Sequence, residues 1–267
     1  MAGFQEKMEV IRDLKRFAVH ELGIYPNHAF ERMGREKDVY VLYVSEPDCI
    51  KSTIKGRECC EIFNSRAERH AAARKWVNEG KDILKVDSPA CSTSYLITKQ
   101  LLEATDCGKA YTLFHEQFHV HCEKKPVKLK MDIEESAADV FAYQAASEFF
   151  KGDSKLQEES KKFLLDEFPF DNLLTEYLHR LDIAYAHSYN AGREVLAEAK
   201  EVIPRSLFVP KRLNSKTDRV TLEKEINNAF FVMKRVYSPK SERVYVLLKD
   251  INPRDYLLDS SLLTRLS

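Results

Sequence analysis

Two histidines four residues apart, His115 and His119, sit in a stretch whose pattern is helical from about residue 106 to 123. On a helix such residues share a face and lie about 6 Å apart along the axis, at ~1.5 Å rise per residue. Further on, Glu135 and Asp139 repeat that spacing in a second helical stretch, about 132–150, beside the small residues Ser136, Ala138 and Ala142. The segment between His119 and Glu135, residues 120–134, has room to end one helix at Lys124-Lys125-Pro126, turn, and begin an antiparallel one. The two helices are therefore expected to pack closely, with imidazoles and carboxylates in the seam. No other feature constrains the fold as strongly.

The remaining pattern fits around that pair. Residues 5–22 read as an amphipathic helix with Met8, Ile11, Leu14, Phe17, Ala18 and Leu22 on one face, ended by the segment from Gly23 to His28. VYVLYV (39–44) reads as a strand, with DILKV (82–86) and STSYLI (92–97) as further strand candidates. Residues 64–79 form a helix closed by Gly80. Helices are also expected at 154–166, at 171–201 with a break near Asn190-Ala191-Gly192, and at 220–236; VYVLL (244–248) fits a strand or a helical turn. The fold class is α+β, mainly helical, with a division near Gly152. Residues 1–152 hold the sheet and the histidine helix, and 153–267 a mostly helical part.

Charge excludes some partners. The 42 basic and 42 acidic residues cancel, so no global field draws the chain to nucleic acid or to an anionic membrane. The N-terminal stretch lacks the uninterrupted apolar core of a signal peptide, and no apolar run is long enough to cross a bilayer. The six cysteines (Cys49, Cys59, Cys60, Cys91, Cys107, Cys122) form no CxxC pair. Reduced thiols and a cytoplasmic address are the expectation.

His115-Glu116-Gln117-Phe118-His119 is an HExxH sequence. Two imidazoles at this spacing can converge on one zinc ion at ~2.0–2.1 Å per bond. Glu116, one residue round from His115, cannot share that direction but can reach a water on the metal, as a general base must. With 8 histidines in 267 residues, chance would produce such a motif about 2 times in 100. The chain contains its own control in His20-Glu21-Leu22-Gly23-Ile24, where Ile24 cannot ligate.

A third ligand is required. Gly at 122 and His at 125 would mark a metzincin; Cys122 and Lys125 stand there, which excludes that class. Glu135 is the candidate, with Asp139 accepting the second ring N–H of a ligand histidine. Two bland readings stay open: Asp132 and Glu135 also match a capping box, and Glu134 is a fallback ligand expected to face solvent. Cys122 reads as a core thiol, and His121 points away from His119 and could border a cleft. His28, His70, His179 and His187 read as structural.

HEQFH followed by EESAAD resembles the HExxH…ExxxD pattern of the gluzincin zinc metallopeptidases, and within them a bacterial aminopeptidase family. The likeness runs through FAVHELGIYPNHAF (17–30), DVYVLYVSEP (38–47), residues 67–93, LFHEQFH (113–119), EESAADVFA (134–142) and INNAFFVMKRVY (226–237). It implies a zincin-like catalytic domain with one Zn2+ held by His115, His119 and Glu135, Glu116 as base and Asp139 behind a ligand. The C-terminal part would complete the cleft. There are two departures. Ser94-Tyr95-Leu96-Ile97 replaces the family's Gly-Trp-Phe-Asp-Pro stretch, and the family's usual export or lipid-anchor signal is not expected here.

Peptide hydrolysis is the activity this implies, on a peptide or protein substrate paired along 92–97 by β-addition. The residues alone support a metal hydrolase; aminopeptidase action comes from the resemblance. Tyr185, His187, Tyr189 and Asn228 are candidates to stabilise an oxyanion. Two rivals are a regulatory zinc endopeptidase that cuts a specific protein partner and a non-catalytic helical interaction module.

Overall fold

The computed structural model describes residues 2–34, 39–55, 59–88, 96–124, 129–165, 168–206, 216–237 and 241–258. In chain order its elements are α1 (Ala2–His20), β1 (Val39–Ser45), β2 (Cys60–Phe63), α2 (Arg66–Asn78), β3 (Asp82–Ser88), α3 (Lys99–Glu103), α4 (Asp106–Glu123), α5 (Met131–Phe149) and α6 (Ser154–Leu165). Then follow α7 (Phe168–His187), α8 (Tyr189–Val202), a 3-10 turn (Ile203–Arg205), α9 (Lys216–Glu225), α10 (Asn228–Tyr237), α11 (Ser241–Leu248) and α12 (Pro253–Leu258). The architecture is α+β and mainly helical. Among the described residues no helix is long and apolar enough to cross a membrane.

Contacts group the chain into two units, and each draws on residues from both sides of Gly152. The first comprises 1–39, 88–165 and 240–267; the second comprises 40–87 and 166–239.

In the first unit α4 and α5 pack on each other along their length. Ser136, Ala137, Ala138, Ala142, Ala145 and Ala146 are all buried on α5, and such small side chains let a neighbouring backbone approach. Phe118 of α4 meets Phe141 of α5 at 5.4 Å between ring centroids. α1 closes over both helices through Phe17, which lies 6.0 Å from Phe114 and 5.3 Å from Phe149. The VYVLL segment is helical, within α11, and packs on α5. There Gln144 donates its side-chain amide to the carbonyls of Leu248 and Ile251.

The strand expected at 92–97 falls mostly outside the described residues. Ile97 forms a parallel bridge with Met33, its N–H given to the Arg32 carbonyl and its own carbonyl taking the Gly34 N–H. At that residue the backbone is already paired within the chain, so β-addition of a substrate cannot use it.

The second unit holds the three-stranded sheet, in the order β2-β1-β3 with β1 and β2 antiparallel. Every residue of β1 is buried, as suits a central strand. Leu42 and Val44 pack with Ala73 of α2. The expected break in 171–201 lies earlier, at Ser188, whose hydroxyl caps α8 through the Ala191 N–H. Gly192 is buried inside α8, where a Cβ would fall 2.1 Å from Cδ1 of Tyr185; it makes room for that ring. The helix expected at 220–236 is two helices, because Asn227 accepts the Phe230 N–H and starts α10 afresh. Asn228 then donates to the carbonyls of Glu46 and Pro47 and accepts from the Tyr185 hydroxyl, so two of the four oxyanion candidates, Tyr185 and Asn228, are occupied in holding this unit together.

Candidate metal centre

α4 starts at Thr105, whose hydroxyl accepts the Gly108 N–H at 3.1 Å. Asp106 in the first turn suits the positive end of the helix. From there α4 runs without a break through His115 and His119. α5 follows Lys130, which makes no side-chain cap. The Asp132 carboxylate stays local and accepts the Ile133 N–H at 3.0 Å. The capping-box reading therefore fails. Glu135 lies inside the helix, 3% exposed, and faces α4.

Donor atoms of three residues meet across the seam, with both Glu135 oxygens taking part. His115 Nε2 is 3.2 Å from His119 Nε2 and 3.2 Å from Glu135 Oε2, and His119 Nε2 is 3.4 Å from Glu135 Oε1. Two bonds of ~2.0–2.2 Å meeting at the tetrahedral angle of about 109° span ~3.3–3.6 Å between donors. The three spacings, two of them to different Glu135 oxygens, are close to those of a tetrahedral metal site. Glu135 Oε2, which faces His115 Nε2, is also buried without an aligned hydrogen-bond partner, an arrangement that is costly unless something else satisfies it. Two imidazoles and a carboxylate are moreover the donor set of a catalytic zinc site, which keeps a fourth position open. The residues fit a metal ion, and the cluster of His115, His119 and Glu135 can hold one. The His115 side chain is 16% exposed, against 7% for His119 and 4% for Glu135, so solvent reaches the cluster from the His115 side.

Each imidazole has a carboxylate at its other nitrogen. Asp139 Oδ1 lies 2.9 Å from His115 Nδ1, off the ring N–H direction, and accepts the Tyr111 hydroxyl at 2.7 Å. Glu134 Oε1 lies 2.9 Å from His119 Nδ1 in an aligned hydrogen bond. Glu134 does not face solvent: it is 3% exposed. The periodic pattern put Glu134 and Glu135 100° apart on α5, and only the crossing of the two helices lets both reach histidines one turn apart. Tyr111 was also missed, although its place one turn before His115 is a signal the sequence carries.

Charge in the metal-free cluster follows from these contacts. Burial pulls both imidazoles toward the neutral form, and the carboxylates outweigh it. Asp139 and Glu135 hold His115 well above its ordinary value, while Glu135 and Glu134 push His119 up to about 10. Burial raises Glu135, yet His119 and His115 hold its carboxyl down at about 2.

The other candidates separate cleanly. Glu116 follows His115 on α4, half-buried and outside the three-donor cluster. Cys122 is buried, as a core thiol should be. His121 is buried rather than bordering a cleft, with Nε2 3.2 Å from the Leu257 carbonyl and its ring stacked on Tyr25.

Compared with protein-family models, with curated proteins and with solved structures, the chain matches none. The site's own geometry therefore carries the functional argument.

Proposed function

We propose that this chain is a zinc-dependent peptidase of the zincin type, acting on peptides as an aminopeptidase. The observation that carries the reading is the 3.2, 3.2 and 3.4 Å spacing among His115 Nε2, His119 Nε2 and the two Glu135 oxygens. Its support is a carboxylate behind each imidazole: Glu134 hydrogen-bonds His119 Nδ1, and Asp139 lies 2.9 Å from His115 Nδ1.

A zinc ion bound here would lower the pKa of a water and polarise the scissile carbonyl. The chain's residues supply the rest. His115 and His119 present Nε2 toward the cation because Asp139 and Glu134 occupy the Nδ1 side. Glu135 contributes the anionic ligand. Glu116 takes the proton of the attacking water and delivers it to the leaving amine. The exposed edge at His115 is the side from which water and substrate enter.

Zinc-loaded protein should release chromophore from aminoacyl substrates and leave N-terminally blocked peptides intact. Cleavage of blocked peptides alone would favour an endopeptidase, and no cleavage of either would remove the peptidase reading.

A further inference from the structure

The back of α4 is braced by a loop ninety residues away in sequence. Gln117 lies between the two ligand histidines in sequence, on the opposite side of the helix, and is fully buried. Its Oε1 accepts from Asn27 Nδ2 at 2.8 Å, and its Nε2 lies 3.4 Å from Asn27 Oδ1. The orientation of the Asn27 amide is settled by its own loop. Oδ1 must face the Ala29 N–H at 3.0 Å, and Nδ2 must face the Tyr25 carbonyl at 2.9 Å. One donor direction is then left, and it points at Gln117.

Two further contacts repeat along the same stripe of α4. One turn on, His121 stacks on Tyr25 with ring centroids 4.8 Å apart. Beyond the helix end, Lys124 Nζ donates to the Pro26 carbonyl at 3.1 Å. Positions 117, 121 and 124 follow the helical repeat, so residues 25–27 run alongside the helix rather than touching it once. The loop turns back at Phe30, whose φ of 59° is seldom adopted by a bulky residue and whose ring is buried.

We propose that Asn27 is a positioning residue for the metal centre: through Gln117 it sets the rotation and axial position of α4 against α5, and so the reach of His115 and His119. The inference rests on the metal reading above. The seam supplies the reason a brace is needed. Across that seam His115 and His119 meet Glu135, Asp139 and Glu134, so a shift of α4 against α5 alters all of these contacts at once. A ligand displaced by about 1 Å can cost on the order of a hundredfold in rate.

The test compares zinc dissociation constants by chelator competition in wild type, Asn27→Ala, Gln117→Met and Asn27→Asp. Gln117→Met keeps the volume and loses the amide. Asn27→Asp keeps the acceptor for the Ala29 N–H but sets a carboxylate oxygen against the Tyr25 carbonyl and removes the donor to Gln117. Asn27→Ala and Gln117→Met should bind zinc about tenfold to a hundredfold more weakly, and the visible bands of their cobalt-substituted forms should shift. Asn27→Asp should weaken binding likewise. If Asn27→Ala does not fold, Gln117→Met against wild type decides. Variants that melt earlier but keep wild-type zinc affinity and cobalt spectrum would overturn the brace while leaving the metal site intact. Absence of zinc binding in wild type would overturn both.

Discussion

Glu134 and His119 are joined by a 2.9 Å hydrogen bond between Oε1 and Nδ1, so the residue just before the proposed third ligand holds the second one in place. Adjacent glutamates on α5 thus act on the same imidazole from its two sides: Glu134 at Nδ1 and Glu135 at Nε2. Asp139 stands in the matching place behind His115, tied to Tyr111. The donor triangle is held by charge on its outer side as well as by the helices.

Replacing Glu134 separates charge from hydrogen bonding. Glu134→Ala should weaken zinc binding by about 10–100-fold, and Glu134→Gln, which still accepts from Nδ1, should recover part of it. Chelator competition on folded protein reads both. Equal affinity in wild type and Glu134→Ala would show that His119 needs no support.

Glu116→Gln keeps the size of the side chain and removes the base. Turnover should fall by about 10²–10⁴, while zinc stoichiometry, measured by elemental analysis, stays at the wild-type level. An active Glu116→Gln protein would take the base role away from this residue.

Protons and metal compete for the same nitrogens, so zinc affinity should rise with pH and binding should release protons into weakly buffered solution. The metal-free protein should behave in the opposite sense on the alkaline side. His119 is raised from 6.5 to about 10 by its carboxylates. Its contribution to stability is full below its ordinary value and is lost as pH climbs through about 10. Glu135, lowered from 4.5 to about 2, contributes above its ordinary value and loses that as pH falls through about 2. Melting of chelator-treated protein between pH 6 and 11 checks the alkaline arm; a melting temperature flat across that range would contradict the ion pairs.

In the second unit, Gly192→Ala drives a methyl group into the Tyr185 ring. The expected loss is about 1–3 kcal/mol, read by denaturant unfolding. Unchanged stability would mean that the α7–α8 contact yields easily.

Much of this was readable from residue order. HExxH set α4, whose ends at Asp106 and Glu123 match the periodic stretch, and ExxxD with its small neighbours set α5. What escaped had a tertiary origin. Glu134 looks solvent-facing until α4 crosses α5. Asp132 resembles a helix cap although Lys130 occupies that position. The break before α8 rests on a serine hydroxyl, and Gly192, which attracted the break, accommodates an aromatic ring instead. Ile97 looks like an open edge only because Arg32 and Gly34 are more than sixty residues away in sequence. Local pattern reports periodicity and caps; it does not report what a side chain meets across the fold.

Diffraction from crystals of zinc-loaded protein, collected on either side of the zinc absorption edge, tests the central claim most directly. The account predicts one anomalous peak within ~2.0–2.2 Å of His115 Nε2, His119 Nε2 and a carboxylate oxygen of Glu135. A peak elsewhere, or none in the seam of α4 and α5, would contradict it.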